Sequence, residues 1–177
     1  LRGTFDDEAA KQIARCDNET LCRLQEHSLV VFLPDGRQLL HETVRYYAKE
    51  HLYEDPEDRR KTLEAHAKYY LAFLQNSLPL FECREQRMYL EAASEHHENI
   101  QGAFLWSVEN GLWEVAEATL EAYAFFLDRL SKFQEGCNFL TQLLKSLEES
   151  RGERREKGRE SLRAGLLLNR ATLAVRM

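Results

Sequence analysis

The chain has 177 residues, a length for one or two domains, and with 44% hydrophobic and 31% charged residues it has a globular composition, excluding a collagen, a mucin or a disordered tail. Three Pro and eight Gly leave little material for the tight turns of a sandwich or barrel, while helix-forming Leu, Ala, Glu, Arg and Gln abound, so a mainly α fold is expected. A net charge of −6 gives no global attraction to nucleic acid or to an anionic membrane surface.

The predicted elements begin with Thr4 as N-cap and Asp7 and Glu8 in the first turn, opening a short helix through Ala9, Ala10, Ile13 and Ala14. A second helix starts near Asn18. Leu29 to Leu33, the turn residues Pro34, Asp35 and Gly36, and Arg37 to Leu40 read as a β-hairpin. A helix from His41 to Tyr53 follows, with Val44, Tyr47, Ala48 and Leu52 spaced to form one buried face. This order predicts a small winged-helix-like domain over 1–54, too small to bury much core alone. An acidic break with Pro56 separates it from a helical region over 59–177.

There, one stripe of Leu63, Ala67, Tyr70, Leu71 and Leu74 predicts a helix over 59–76. Helical segments over 85–109, 112–130 and 133–149 follow, the first closed by Asn110 and Gly111, the last two separated by Ser131 and Lys132. A charged tract from Ser150 to Glu160 precedes a final helix. The resulting antiparallel hairpins invite comparison with the tetratricopeptide repeat, which needs small residues where helices cross. Ala124, Phe133 and Gly136 fit the small, aromatic and small positions of one unit, and Trp113 and Ala116 fit an earlier register. Ala171 stands for the next unit only if the charged tract absorbs extra residues, so the array is degenerate. The chain opens without an initiator Met and ends in an apolar run with Leu166 to Leu168, Leu173 and Val175, the appearance of a piece of a longer protein.

Most enzyme templates fail. His41-Glu42-Thr43-Val44-Arg45 starts like a zinc-binding H-E-x-x-H helix, but Arg45 is a permanent cation in the second ligand position. No phosphate-binding glycine loop and no nucleophile elbow occurs in the sequence. Glu95-His96-His97-Glu98 holds the residue types of a metal site, yet adjacent histidines diverge by about 100° on a helix. His51 and His66 read as surface or cap residues, and Cys16, Cys22, Cys83 and Cys137 as reduced, packed thiols. Neither a catalytic constellation nor a metal site is expected. No apolar run approaches the roughly 20 residues of a membrane span, and no signal peptide opens the chain, which gives a cytoplasmic expectation without membrane contact. Residues 1–54 carry seven Lys and Arg against ten Asp and Glu, so nucleic-acid binding is not expected either.

One string is specific. Leu40-His41-Glu42-Thr43-Val44-Arg45-Tyr46-Tyr47-Ala48, preceded by Leu24 to Val30, resembles the winged-helix segment of NB-ARC-type STAND signalling ATPases, especially the bacterial regulator-like members. Gly3-Thr4-Phe5 with Glu8-Ala9-Ala10 resembles the family's G-x-F-x-x-E-A-A opening. Glu95 to Trp106 resembles the E-x-H-D-N-L-R-A-A-L-x-W helix of bacterial members. The resemblance extends to about residue 149.

It implies that Leu40-His41-Glu42 is the M-H-D-type triplet, with Glu42 in place of Asp. His41 then reaches a phosphate of ADP held by a neighbouring ATPase domain, and Glu42, Arg45 and Tyr46 face that domain, while Tyr47 packs in the core. The fragment itself carries no cofactor; ADP or ATP belongs to the full-length protein. The implied partners are an upstream ATPase domain in cis and an effector ligand or protein on the helical repeats, with signal transduction and transcriptional regulation as the output. The alternatives are an independent helical-repeat adaptor and, third, a DNA-binding winged-helix regulator.

Overall fold

The computed structural model describes residues 3–34, 36–150 and 156–177. Leu1, Arg2, the predicted turn residue Asp35 and residues 151–155 of the predicted charged tract lie outside the described residues. The fold is mainly α, with nine helices among the described residues and one small antiparallel sheet. The chain divides into two compact units, Leu1–Tyr69 and Tyr70–Met177.

The first unit contains β1 (Thr4–Phe5), α1 (Asp7–Ala14), α2 (Asn18–Glu26), β2 (Val30–Phe32), β3 (Gln38–Leu40), α3 (Glu42–Glu54) and the first part of α4 (Pro56–Ser77). Thr4 is not the N-cap that its position suggests. It pairs with Leu39 in β1, where a β-branched residue fits the pleat, and Asp6 caps α1 by accepting the Ala9 N–H at 2.7 Å. The sheet therefore has three strands in the order β1-β3-β2, one more than the hairpin alone. Phe5, Ala9, Ala10, Ile13, Leu21 and Val30 fill its small core.

The second unit takes the rest of α4, a 3-10 turn at Leu78–Glu82, and α5 (Gln86–Glu95), α6 (His97–Glu109), α7 (Trp113–Arg129), α8 (Phe133–Glu149) and α9 (Glu156–Val175). The single helical segment expected over 85–109 is two helices that change direction at His96, whose backbone sits near φ −94°, ψ 6°. The last helix starts at Glu156, inside the expected charged tract. Tyr70, Phe81, Phe104, Tyr123 and Phe126 are fully buried and form an aromatic core. Gly136 brings α8 close to its neighbours: a Cβ there would stand 2.7 Å from side-chain methyls of both Leu127 and Leu173. Of the repeat-like positions, Gly136 thus marks a true crossing, Ala124 is half-buried, and Ala171 is exposed.

Four helices end in the same way. Arg15, Ser28, Gly111 and Ser131 adopt left-handed backbones, and the next residue's N–H donates to a carbonyl five positions back: Cys16 to Ala10 is a six-residue variant, whereas Leu29 to Leu24, Leu112 to Ser107 and Lys132 to Leu127 span five, at 2.9 Å each. Only one of these left-handed residues is glycine. Because a side chain at positive φ costs about 1 kcal/mol, Ser131→Gly (φ 55°) is expected to stabilise the chain by about 0.5–1 kcal/mol, and Gly111→Ala (φ 78°) to destabilise it by about 1 kcal/mol. Urea unfolding checks both signs; equal midpoints for all three proteins would contradict this account of the turns.

Candidate functional site

The His41 string occupies the start of α3. His41 is the N-cap, with φ −55° and ψ 142°, and its Nδ1 accepts the Thr43 N–H at 3.4 Å. An imidazole that accepts at Nδ1 carries its proton at Nε2 when neutral, so a donor is left for an outside acceptor. Four side chains of the implied site lie close in sequence and are all exposed: His41, Glu42, Arg45 and Tyr46. Arg45 stands 3.8 Å from Glu42, an exposed pair of little energetic weight. The helix N-terminus adds partial positive charge beside the imidazole.

The buried face expected for this helix does not form. No residue of α3 is buried: Val44 and Leu52 are half-covered, Ala48 is exposed, and Tyr47, expected in the core, is 62% exposed. The spacing correctly gives a helical stripe, but the unit's core is already filled by α1, α2 and the sheet. Tyr47 instead meets His51 edge-on at 4.4 Å, and Tyr53 is covered by the Arg59 guanidinium 3.7 Å above its ring. Leu29, Val31 and Phe32, at and beside β2, are also exposed.

The histidines in the second cluster diverge because His96 is the junction between α5 and α6 rather than a neighbour of His97 on one helix. His96 lies against Tyr70 and Phe73, with ring centroids 5.5 and 5.2 Å apart. His97 points to α7 and α8. Its Nδ1 is 3.2 Å from Glu135 Oε1, its Nε2 is 3.0 Å from the Tyr123 hydroxyl, and Gln101 Nε2 donates to that hydroxyl at 3.2 Å. Lys132 Nζ holds the other oxygen of Glu135 at 3.1 Å. Burial pushes the His97 imidazole below its ordinary range, Lys132 acts in the same direction, and Glu135 and Glu98 oppose them. Burial likewise drives the Tyr123 phenol upward, so it remains protonated. His97 stands out in the sequence, but Tyr123 and Glu135 lie on other helices and leave no local signal of their pairing with it.

Two smaller expectations need correction. His66, read as a surface residue, is buried in α4, whereas His51 is exposed and stands 3.1 Å from Glu54. Among the thiols, Cys137 is buried, Cys16 and Cys83 are half-covered, and Cys22 is exposed rather than packed. All four cysteines are free. Among the described residues, no group of three His, Cys, Asp or Glu could hold a metal ion, and no helix is long and apolar enough to cross a membrane. A shallow groove of about 630 Å³ in the second unit is lined by Gln86, Arg87, Leu90, Glu91, Arg129 and Leu130, among others, and Arg87 is already paired with Glu91 at 2.7 Å.

No family model, no curated protein and no solved structure matches the chain.

An exposed histidine beside one helix terminus supplies one donor and a partial charge, so ADP alone is expected to bind residues 1–177 no more tightly than the millimolar range. Calorimetry checks this, and a micromolar isotherm would contradict it. Labelled duplex DNA is expected to show no salt-sensitive shift in its migration, given the excess of acidic residues over 1–54.

Proposed function

We propose that this chain is a regulatory segment of a multidomain signalling ATPase of the NB-ARC-type STAND class, in which a winged-helix domain and the start of a tetratricopeptide-like array couple the nucleotide state of an upstream ATPase domain to effector binding. The observation that carries this reading is His41 itself: it stands at the open start of a helix with no buried residue, within the nine-residue string that resembles the family's sensor motif. An imidazole with Nδ1 occupied by the Thr43 N–H presents Nε2–H outward, the geometry needed to donate to a phosphate oxygen supplied by another domain. Exposed Glu42, Arg45 and Tyr46 are the accompanying contacts to that domain.

The fragment performs no catalysis in this reading. ADP or ATP binds the ATPase domain, the protein works in the cytoplasm, and the helical array takes a ligand or protein effector. Two discrete docking arrangements, closed with ADP and open without it, provide the coupling. The groove beside α5 favours the rival reading of a peptide-binding adaptor, but its lining charges already satisfy one another at Arg87 and Glu91.

His41→Ala separates a sensor from a structural cap. In the protein that carries the ATPase domain, loss of one charge-assisted hydrogen bond worth about 1.5–3 kcal/mol is expected to speed ADP release roughly 10- to 150-fold and to raise signalling without effector. In residues 1–177 the same change is expected to cost under about 0.5 kcal/mol, because the capping bond is long and exposed. Labelled-ADP release and thermal unfolding read the two effects. Unchanged release together with a large stability loss would make His41 a packing residue and end the sensor reading.

A further inference from the structure

The His97 network lies far along the sequence from the His41 string and has no part in nucleotide sensing as proposed. It ties three helices together through one polar cluster with a buried centre: His97 and half-buried Gln101 on α6, buried Tyr123 on α7 and, at its solvent edge, Glu135 on α8. We propose that these four residues form a proton-operated latch that holds the start of α6 to the α7–α8 hairpin and opens when His97 takes up a second ring proton.

Hydrogen-bond directions decide which nitrogen of His97 carries the proton. The Glu135 carboxylate only accepts, so the facing Nδ1 of His97 carries the proton. Nε2 of the neutral ring is then an acceptor, and the Tyr123 hydroxyl donates to it across 3.0 Å. The same hydroxyl oxygen accepts from Gln101. Every group is satisfied in this one arrangement.

A second proton on His97 reverses only one link. Nε2–H now points at a hydroxyl whose own hydrogen points back. Tyr123 must turn its O–H away, yet its side chain is fully buried and Gln101 offers it an N–H rather than an oxygen. The network recovers only if the Gln101 amide flips or the helices part, and a buried donor without an acceptor is costly. The surrounding charges set the balance. Glu135 on α8 and Glu98 on α6 favour the imidazolium, Lys132 before α8 opposes it, and the apolar side of the pocket is closed by Phe126 on α7. Glu135 is 44% exposed and shared with Lys132, so its attraction is screened, whereas the ring loses its hydration almost completely. His96, the adjacent imidazole, lies against Tyr70 and Phe73, outside this network.

The pH sense follows from the lowered His97 pKa. The unfolded chain takes up the proton near the ordinary value of about 6.5 and the folded chain only at lower pH, so the latch contributes fully above about 6.5 and weakens as pH falls below it.

The test is amide hydrogen exchange of the whole chain at about pH 7.5 and about pH 5.5, corrected for intrinsic rates. The expected result is a loss of protection of about tenfold confined to residues 97–104 and 120–127, with α9 unaffected, and disappearance of that pH dependence in His97→Gln. A uniform loss over the second unit, or the same loss in His97→Gln, would overturn the latch. Should that variant not fold, nitrogen-detected NMR of the wild-type histidines decides. A neutral Nδ1–H tautomer for His97, titrating below the ordinary histidine value of about 6.5, supports the proposal; an Nε2–H tautomer or titration at or above that value overturns it.

Discussion

The second unit is organised around the side chain of Tyr123, which has to satisfy an apolar ring and a polar hydroxyl in the same dry place. Its ring lies 5.2–5.5 Å from Phe104 and Phe139 and 6.4 Å from Phe126, and its hydroxyl meets His97 and Gln101. Aromatic contacts tolerate a range of tilts, but the hydroxyl does not. The contacts of that hydroxyl with His97 and Gln101 tie α6 to α7, and Glu135 extends the link to α8. With those three helices placed, Gly136 allows α8 to approach Leu127 and Leu173, and α9 is held on the far side. A polar contact sets the register while apolar burial supplies most of the stabilisation.

The turns show a different economy. Short connections between α6, α7 and α8 force the chain to reverse within two or three residues, and a left-handed residue is the shortest way to do so. Gly111 accomplishes this without strain and Ser131 does so against its own side chain, as Arg15 and Ser28 do in the turns after α1 and α2. Their cost is offset locally by recovered hydrogen bonds, since each left-handed residue lets the following N–H reach an otherwise unpaired helix carbonyl.

Helical periodicity made most of the fold legible. The stripes of Tyr70, Leu71 and Leu74, and of the segments that became α7 and α8, could be read because each buries a face in the core of the second unit. What could not be read depended on competition between elements. Thr4 and Asp6 are both acceptable N-caps, and strand pairing with Leu39 took Thr4 for the sheet. His96 and His97 look like one cluster in sequence, but the backbone turns between them and sends each ring to a different pocket. Tyr47 sits at a correct core spacing on a helix for which the unit has no core left. At the candidate site the place of His41 at a helix start was legible; the exposure of the whole helix was not, because it reflects what the rest of the unit does not cover.

That exposure has an energetic consequence. α3 is 13 residues long, near the limit at which an isolated helix is only marginally stable in water, and it lacks the buried face that normally supports helices of this size. Its supports are weak ones: a 3.4 Å capping bond from Thr43 to His41, the exposed Arg45–Glu42 and His51–Glu54 pairs, and cation–ring contacts at Tyr53. Contributions of a few tenths of a kcal/mol each leave little reserve, so any surface that covered Tyr46 and Tyr47 while offering an acceptor to His41 would add more to the helix than all its present contacts. A helix held so lightly draws most of any further stability from whatever surface covers it.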